Sequence, residues 1–276
     1  MKFEPRYTEE NFNVPEQHEL RDFFRLSLYL LGIVFGLYIV LGFAAEKIAE
    51  RLPPRFEAAI AAHFTGKLDD SAFPASRDYL QQVLDRLVKT ADLPDFQYKI
   101  TVQEQEEINA LALPAGRIVV FSGLLDKLRS ENELAMVLAH ELGHYAHRDH
   151  LRGLGRGLVL LSITAALGFS GDLPGFIAPS VQTFSLKYSR EQEAAADIFA
   201  LDLVVRSYGH AGGALDLFAM FEEQERNTPA LFSTHPDSRW RRQNLADRIS
   251  REGWPQKTVQ PLPAKLPFAE EVSPQA

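Results

Sequence analysis

The chain has 276 residues, 46% of them apolar and 24% charged, and it contains no cysteine. The apolar fraction is ample for a globular core, which excludes an intrinsically disordered chain. Without cysteine there can be no disulfide framework, iron–sulfur cluster or thiolate zinc site, so any metal must be held by histidine and carboxylate side chains. The formal net charge of −8 argues against nucleic acid as a partner, because phosphate binding needs a basic surface.

An uncharged apolar run occupies residues 26–45 and follows a polar N-terminal tail, residues 1–25. As a helix, about twenty residues cross the roughly 30 Å of a bilayer core. One alternative is a buried core helix, but such a helix usually keeps a polar stripe that this run lacks. The other is a cleavable signal peptide, which would have a shorter polar leader. We therefore predict a single uncleaved membrane anchor.

The rest of the chain divides into a connector, a folded domain and a C-terminal tail. Residues 46–72 form a polar connector interrupted by Pro53-Pro54, and the folded domain is predicted to occupy residues 73–253. Residues 254–276 contain five prolines, which predicts a weakly ordered tail.

The domain combines a few short strands with longer helices. A helix is predicted over about 76–90, followed by a strand over 96–102 and by a hairpin whose strands, 109–113 and 117–121, flank Pro114-Ala115-Gly116. Further helical patterns cover about 130–150, 184–207, 214–226 and 237–251, the first opening with a capping box of Ser130 and Glu133. The predicted fold class is mainly α, within α+β, with a small sheet beside the helices.

The segment His140-Glu141-Leu142-Gly143-His144 is an HExxH motif inside the helical pattern that begins near Ser130. Histidines at i and i+4 project from one helix face, so both imidazoles can bind a single zinc ion while Glu141 lies beside them. The motif predicts one Zn²⁺ per chain, with His140 and His144 as ligands.

The third zinc ligand separates two classes of site. His150 stands where the longer metzincin motif ends, but His147 occupies a position that this motif requires to be glycine. Glu193 is the alternative. It lies four residues before Asp197 in a downstream helical pattern, so both carboxylates would project from the same helix face. Glu193 can then bind the metal while Asp197 accepts the ring N–H of a histidine ligand. Alanines between the two acids would let that helix pack closely on the HExxH helix.

Four motifs, in this order, resemble the HtpX and CAAX prenyl endopeptidase family of zinc metallopeptidases, which includes periplasmic BepA-like and mitochondrial Oma-like branches. They are the strand pair 109–114 and 116–121, HExxH, Ser189-Arg190-x-x-Glu193-x-x-Ala196-Asp197, and Thr234-His235-Pro236 with Arg241 six residues after the histidine. The resemblance covers about residues 76–251. It implies a helical, zincin-type gluzincin domain with a small β-sheet beside the active-site helix, following one N-terminal transmembrane helix.

The resemblance also implies roles for individual residues. His140, His144 and Glu193 would bind zinc, Glu141 would be the catalytic base, and His235 and Arg241 would lie near the active site. HtpX and the prenyl endopeptidases carry several membrane spans, whereas only residues 26–45 are long enough here, since the apolar stretch 157–169 has about thirteen residues. This favours a single anchor and argues against prenylated CAAX proteins as substrates.

The predicted function is a membrane-anchored, zinc-dependent endopeptidase in which Glu141 takes a proton from a zinc-activated water. His235, Arg241 or Tyr188 could donate a hydrogen bond to the developing oxyanion. The alternative is a zinc-stabilised, membrane-anchored chaperone or assembly factor with little proteolytic activity, in which His235 fills the fourth zinc position. A secreted soluble peptidase would result if residues 26–45 were removed.

The predicted partners are unfolded or misassembled proteins or peptides, and the family resemblance alone connects this activity with protein quality control. An extended substrate is predicted to add to the edge of the strand that holds Arg117, Ile118, Val119 and Val120. Basic residues flank both ends of the apolar run, so charge discriminates weakly between the two orientations. The prediction is a single-pass protein of the bacterial inner membrane with an extracytoplasmic catalytic domain.

Overall fold

The computed structural model describes residues 19–49, 73–153, 188–227 and 237–263, together with residues 51, 53, 57, 155, 159 and 235. Its elements in chain order are α1 (Glu19–Ala49), α2 (Pro74–Val88), β1 (Lys99–Gln103), β2 (Ala110–Leu113), β3 (Arg117–Phe121), α3 (Ser122–Leu125), α4 (Glu131–Ala146), α5 (Arg190–Tyr208), α6 (Ala214–Asn227) and α7 (Ser238–Glu252). Most of the predicted connector 46–72 and of the apolar stretch 157–169 lies outside the described residues, as do residues 264–276 of the tail. The mainly helical fold with a small sheet confirms the predicted class.

Helix α1 contains the predicted membrane anchor. Its segment Leu20–Ala45 is 26 residues long and apolar enough to cross a membrane, and only 6% of its most apolar window is buried in the protein. Large apolar side chains such as Leu31 and Phe35 are exposed along it. This exposure argues against a buried core helix, because a core helix would be covered by the domain.

The three described strands form one sheet in the order β1-β3-β2. Strands β2 and β3 pair antiparallel, which confirms the predicted hairpin, while β1 runs parallel to β3. The turn between β2 and β3 places Ala115 at φ 63° and Gly116 at φ 80°, in the left-handed region. A Cβ on Gly116 would also lie 2.9 Å from the carbonyl oxygen of Gln97, so glycine is required there.

The position of β3 corrects one prediction. The strand that holds Arg117, Ile118, Val119 and Val120 is the central strand, and its two edges are occupied by β1 and β2. It therefore cannot accept an extended substrate at an edge. Strand β2 packs against the HExxH helix α4. Among the described strands, β2 pairs only with β3, so its other edge is unpaired.

Helix α4 is buried along nearly its whole length and lies at the centre of the domain. Its N-terminus is capped by the Ser130 hydroxyl, which accepts the Glu133 N–H at 3.2 Å. The Glu133 carboxylate accepts the Arg129 N–H at 2.6 Å and also faces the Ser130 N–H, as the predicted capping box requires.

Helix α5 packs against α4 at very short range. A Cβ placed on Gly143 would lie 2.9 Å from the Cα of Ala196, so glycine and alanine allow the two backbones to approach. This agrees with the close packing predicted from the alanines of α5. The N-terminus of α5 has a complete capping box of Ser189 and Gln192, which fixes where the helix begins.

Residues 254–263 belong to the folded domain, which differs from the weakly ordered tail predicted from their prolines. The Pro255 carbonyl accepts the N–H of Ala211 at 2.9 Å, and the Gln260 carbonyl accepts the N–H of Glu131 at 2.8 Å. The Gln260 N–H in turn donates to Asn132 Oδ1 at 2.8 Å. The first N–H groups of a helix lack partners within the helix, and this segment satisfies one of them at the start of α4.

Candidate active site

The two histidines of HExxH lie one turn apart on α4 and face the same point. Their Nε2 atoms are 3.1 Å apart. The Nδ1 atom of His140 is 2.9 Å from Asp197 Oδ1, and that of His144 is 3.0 Å from Asp149 Oδ2. A carboxylate beside each Nδ1 favours the tautomer with the proton on Nδ1, which leaves both Nε2 lone pairs free to bind a metal.

Glu193 and His235 complete a set of four donors around this point. The Glu193 carboxylate is buried, with its oxygens 3.6 Å from the Nε2 atom of His140 and 3.7 Å from that of His144. His235 Nδ1 lies 2.8 Å from Glu193 Oε1 and 3.3 Å from His140 Nε2. One ligand atom from each of the four residues lies within 4.8 Å of the others.

This donor set fits a zinc ion. Tetrahedral zinc with ligands at about 2.0–2.1 Å places those ligands about 3.3 Å from one another, close to the spacings between His140, His144 and Glu193. His144 is suited to the role, because burial lowers its pKa to about 3 although Asp149 acts in the opposite direction. A neutral imidazole is the form that binds metals.

The metzincin alternative does not match the structure. His150 Nε2 is 2.8 Å from Glu57 Oε1, so this ring nitrogen is engaged by a carboxylate outside the donor set. His150 is also absent from the group of side chains that could hold a metal ion among the described residues.

Glu141 is a buried carboxyl group beside the metal-binding set. Burial raises its pKa, and this effect outweighs the opposing influence of His235, His140 and the backbone N–H of Ala112. Its Oε1 lies 4.0 Å from His235 Nε2, whereas Oε2 has no hydrogen-bond partner among the described residues. A buried, partly unpaired carboxyl group with a raised pKa is suited to accepting a proton.

Arg241 reaches from α7 to two acidic residues of α5, Glu193 and Asp197. Its Nη1 lies 2.7 Å from Glu193 Oε2, while Nη2 and Nε each lie 2.7 Å from an oxygen of Asp197. Burial would raise the pKa of Asp197, but Arg241 outweighs that effect and lowers it. Arg241 thus holds two carboxylates in place: that of Asp197, which supports His140, and that of Glu193, the predicted metal ligand.

Asp149 is a site residue that the sequence analysis did not identify. It follows the end of α4 and bonds His144, while its other oxygen accepts a hydrogen bond from Gln192 Nε2 at 2.8 Å. The sequence feature that could have indicated Asp149 is its position five residues after His144, just past the end of the HExxH helix. Tyr188, predicted as an oxyanion donor, stacks its ring on His144 with the centroids 3.8 Å apart.

An apolar cavity of about 40 Å³ opens beside His140 and Glu141. Its apolar lining comes from Ile108, Ala110, Leu124, Met136, Val137, Leu217, Phe218 and Phe221. Asn109, His140, Glu141, His235 and Arg241 supply the polar part of the lining. An apolar group that entered the cavity would gain van der Waals contacts with its apolar side chains.

Comparisons with known proteins identify a family and several relatives. The family model described as Peptidase family M48 matches residues 74–249. The chain is 28% identical over 190 residues to Metalloprotease LoiP of Escherichia coli, covering 65% of this chain and 74% of LoiP. It is 30% identical over 168 residues to Mitochondrial metalloendopeptidase OMA1 of Schizosaccharomyces pombe, covering 59% and 50% of the two chains. It is 30% identical over 240 residues to the Protease HtpX homolog of Acidiphilium cryptum, covering 75% and 80%.

These matches confirm the resemblance that the four sequence motifs indicated. The family match covers more than half of the chain and includes every element from α2 to α7 apart from the last residues of α7. The protein therefore belongs to peptidase family M48, and it is a metalloendopeptidase.

Proposed function

We propose that the protein is a membrane-anchored zinc endopeptidase in which His140, His144 and Glu193 bind the metal and Glu141 is the general base. The observation that carries this proposal is the convergence of two Nε2 atoms and one carboxylate beside a buried glutamate. Zinc bound by these residues supplies Lewis acidity, which lowers the pKa of a water molecule and polarises the scissile carbonyl.

Glu141 moves the proton in the proposed reaction. Its carboxylate accepts a proton from the attacking water and then delivers it to the leaving amine. The pKa raised by burial makes Glu141 a better proton acceptor than an exposed glutamate, and its unpaired Oε2 is free to receive the proton.

His235 and Arg241 receive different roles in this proposal. His235 lies close to both His140 and Glu141, and it can donate a hydrogen bond to the carbonyl oxygen as negative charge develops there. All three Arg241 nitrogens that approach the site face Glu193 or Asp197, so Arg241 is assigned a positioning role instead of the catalytic role predicted.

Strand β2 is the proposed substrate-binding edge. The Ala110 N–H is bonded to Asn109 Oδ1 at 2.9 Å, and the Ala112 N–H faces Glu141, so both groups lie on the side of β2 away from β3. An extended substrate that displaced the Asn109 side chain would pair with this edge through its main chain. Such pairing selects unfolded segments and depends little on their sequence.

The apolar cavity adds one preference to this loose selectivity. Glu141 lines the cavity and delivers the proton to the leaving nitrogen. The substrate residue that contributes this nitrogen, the one directly after the cleaved bond, therefore has its side chain nearest to the cavity. The proposed substrates are therefore unfolded or misassembled proteins with an apolar residue directly after the cleaved bond.

The proposed location is a membrane, with residues 26–45 as the anchor. The exposed apolar surface of α1 supports this assignment, and a bacterial inner membrane with an extracytoplasmic catalytic domain remains the topology we propose. A role in protein quality control rests on analogy with the family. Protease protection of the domain in sealed, right-side-out and inverted vesicles tests the orientation.

The decisive experiment compares the full wild-type chain with Glu141→Gln in detergent micelles. Both proteins should contain one zinc per chain, because Glu141 is not a ligand, while cleavage of casein by the variant should fall by about 10²–10⁴-fold. Equal cleavage by the two proteins would contradict the proposed base. Zinc in both without cleavage by either would favour the chaperone alternative, and absence of zinc from both would contradict the metal site.

A further inference from the structure

Glu57 is a buried carboxylate that the proposed chemistry does not use. It follows the anchor helix α1 in the chain, and its side chain is 0% exposed. Its Oε1 accepts the backbone N–H of Ala115 at 3.0 Å and lies 2.8 Å from His150 Nε2, while Oε2 is 3.4 Å from Arg148 Nη2. A buried charge is costly unless it is paired and hydrogen-bonded, so these three contacts account for its presence.

The contacts are strong enough to keep Glu57 ionised. Burial alone would raise the pKa of its carboxyl group. The hydrogen bond and charge of His150, together with the Ala115 N–H and Arg148, outweigh burial and lower the pKa below its ordinary value. Glu57 therefore holds its partners as an anion.

One partner of Glu57, Ala115, lies in the turn that precedes β3 and follows the proposed substrate strand β2. Ala115 lies in the turn between β2 and β3 with φ 63°, a conformation that is unfavourable for residues with a Cβ and needs support from its surroundings. Glu57 supplies that support by accepting the Ala115 N–H. The same turn sets the position of β2, whose Ala112 N–H faces Glu141.

The other partners lie at the end of the metal-binding helix. Helix α4 ends at Ala146, and Arg148 and His150 stand on either side of Asp149, the residue that holds His144. The His150 ring also lies 4.5 Å from the ring of Tyr145.

Tyr145 connects the β2–β3 turn with the end of α4. It follows His144 in α4, and its hydroxyl donates to the carbonyl oxygens of Leu113 and Arg117 on either side of the β2–β3 turn. Glu57, His150 and Tyr145 thus form a continuous buried contact from the segment after the anchor to the substrate strand and the zinc ligands.

A second contact joins the anchor to the same stretch of chain. A Cβ on Gly155 would lie 3.3 Å from the Cβ of Ala45, the last residue of the candidate span. Ala45 and Glu57 therefore both contact the chain that follows the HExxH helix.

We propose that Glu57 is a positioning residue that links the segment after the membrane anchor to the β2–β3 turn and to the end of α4. It fixes the distance between the substrate strand and the metal-binding side chains. The part of this inference that concerns catalysis rests on the proposed function. Loss of Glu57 should therefore weaken substrate binding more than zinc binding.

The test compares Glu57→Ala and Glu57→Gln with a matched control in the full chain in detergent micelles. The control is Glu131→Ala, because Glu131 is also a buried carboxylate paired with an arginine, Arg86, but at the opposite end of α4. Zinc per chain, kcat and KM for an unfolded protein, and hydrogen–deuterium exchange of peptides covering 109–121 and 144–152 are measured for each.

Glu57→Ala should retain one zinc per chain and raise KM by about tenfold or more, because small misplacements of substrate-positioning groups have effects of this size. Glu57→Gln keeps an acceptor for the Ala115 N–H and should be intermediate, and it serves as the test if Glu57→Ala does not fold. Both should accelerate exchange in the two peptides, whereas Glu131→Ala should leave their exchange and KM at the wild-type level.

Wild-type KM and exchange in both Glu57 variants would overturn the proposal. The same KM increase in Glu131→Ala would overturn it too, because the effect would then reflect general destabilisation. If the wild-type chain cleaves nothing, the proposed function fails, while the exchange data still decide whether Glu57 positions the two peptides.

Discussion

Replacing Asp197 with asparagine tests whether this carboxylate supports the proposed metal ligand His140 without binding the metal itself. Asp197 lies 2.9 Å from the Nδ1 atom of His140 and accepts two contacts of 2.7 Å from Arg241. Loss of a carboxylate that orients a histidine ligand usually costs 10–100-fold in metal affinity, which corresponds to about 1.4–2.7 kcal/mol. Asp197→Asn should therefore weaken zinc binding by that factor without abolishing it.

Asparagine is preferable to alanine for a physical reason. Its Oδ1 still accepts a hydrogen bond, whereas alanine would leave the buried guanidinium of Arg241 with Glu193 as its remaining acidic partner. Breaking a buried ion pair from one side costs about 3–5 kcal/mol, enough to mix unfolding with metal loss.

The assay is competition for zinc between the protein and a chromophoric chelator, with Asp202→Asn as the control. Asp202 lies on the same helix as Asp197 and pairs with Arg248 of α7 at 2.9 Å, so it reproduces the α5–α7 ion pair away from the histidines. The Kd for zinc should rise about 10–100-fold in Asp197→Asn and stay near the wild-type value in Asp202→Asn. Wild-type affinity in Asp197→Asn, or equal weakening in both variants, would refute the reasoning.

Three further predictions concern packing, selectivity and pH. Gly143→Ala should lower both the melting temperature and zinc affinity, measured by calorimetry and chelator competition, because the new Cβ would lie 2.9 Å from the Cα of Ala196. Val137→Phe should fill the cavity beside Glu141 and shift cleavage of a peptide library toward small residues after the cleaved bond; an unchanged profile would contradict the assignment of the cavity. Burial would raise the pKa of Glu131, but its bonds to Tyr79, Tyr208 and Arg86 lower it, so its stabilisation is complete above about pH 4.5 and is lost as pH falls through the lowered pKa. Glu131→Gln should therefore flatten the decline of unfolding free energy in acid, as measured by urea titrations between about pH 3 and 7.

The residues of the proposed metal site were predictable because their spacing is local. His140 and His144 share a helix face by periodicity alone, and Glu193 and Asp197 share one in the same way. The capping box at Ser189 marks the start of α5. Only the pairing of α4 with α5 had to come from tertiary structure or from the family resemblance.

The choice of the wrong edge strand has a clear physical cause. Ile118, Val119, Val120 and Phe121 are all buried, and a run without alternation is typical of a strand covered on both faces. Strand β2 alternates buried and half-buried residues, which is typical of a strand with one face toward the core. The burial pattern thus favours β3 as the central strand, but the parallel partner β1 could not be inferred from the hairpin alone.

The supporting groups of the site could not be predicted, because their position depends on the whole fold. Asp149 lies beyond the end of α4, Glu57 in the segment after the anchor, and Gln260 in a proline-containing stretch. Each of the three residues supplies a polar group to α4 or to the residues that directly follow it. A buried helix with polar ends must find such partners, since its unpaired groups would otherwise be costly. The requirement is therefore readable from the sequence of α4, whereas the identity of the partners is determined by tertiary structure.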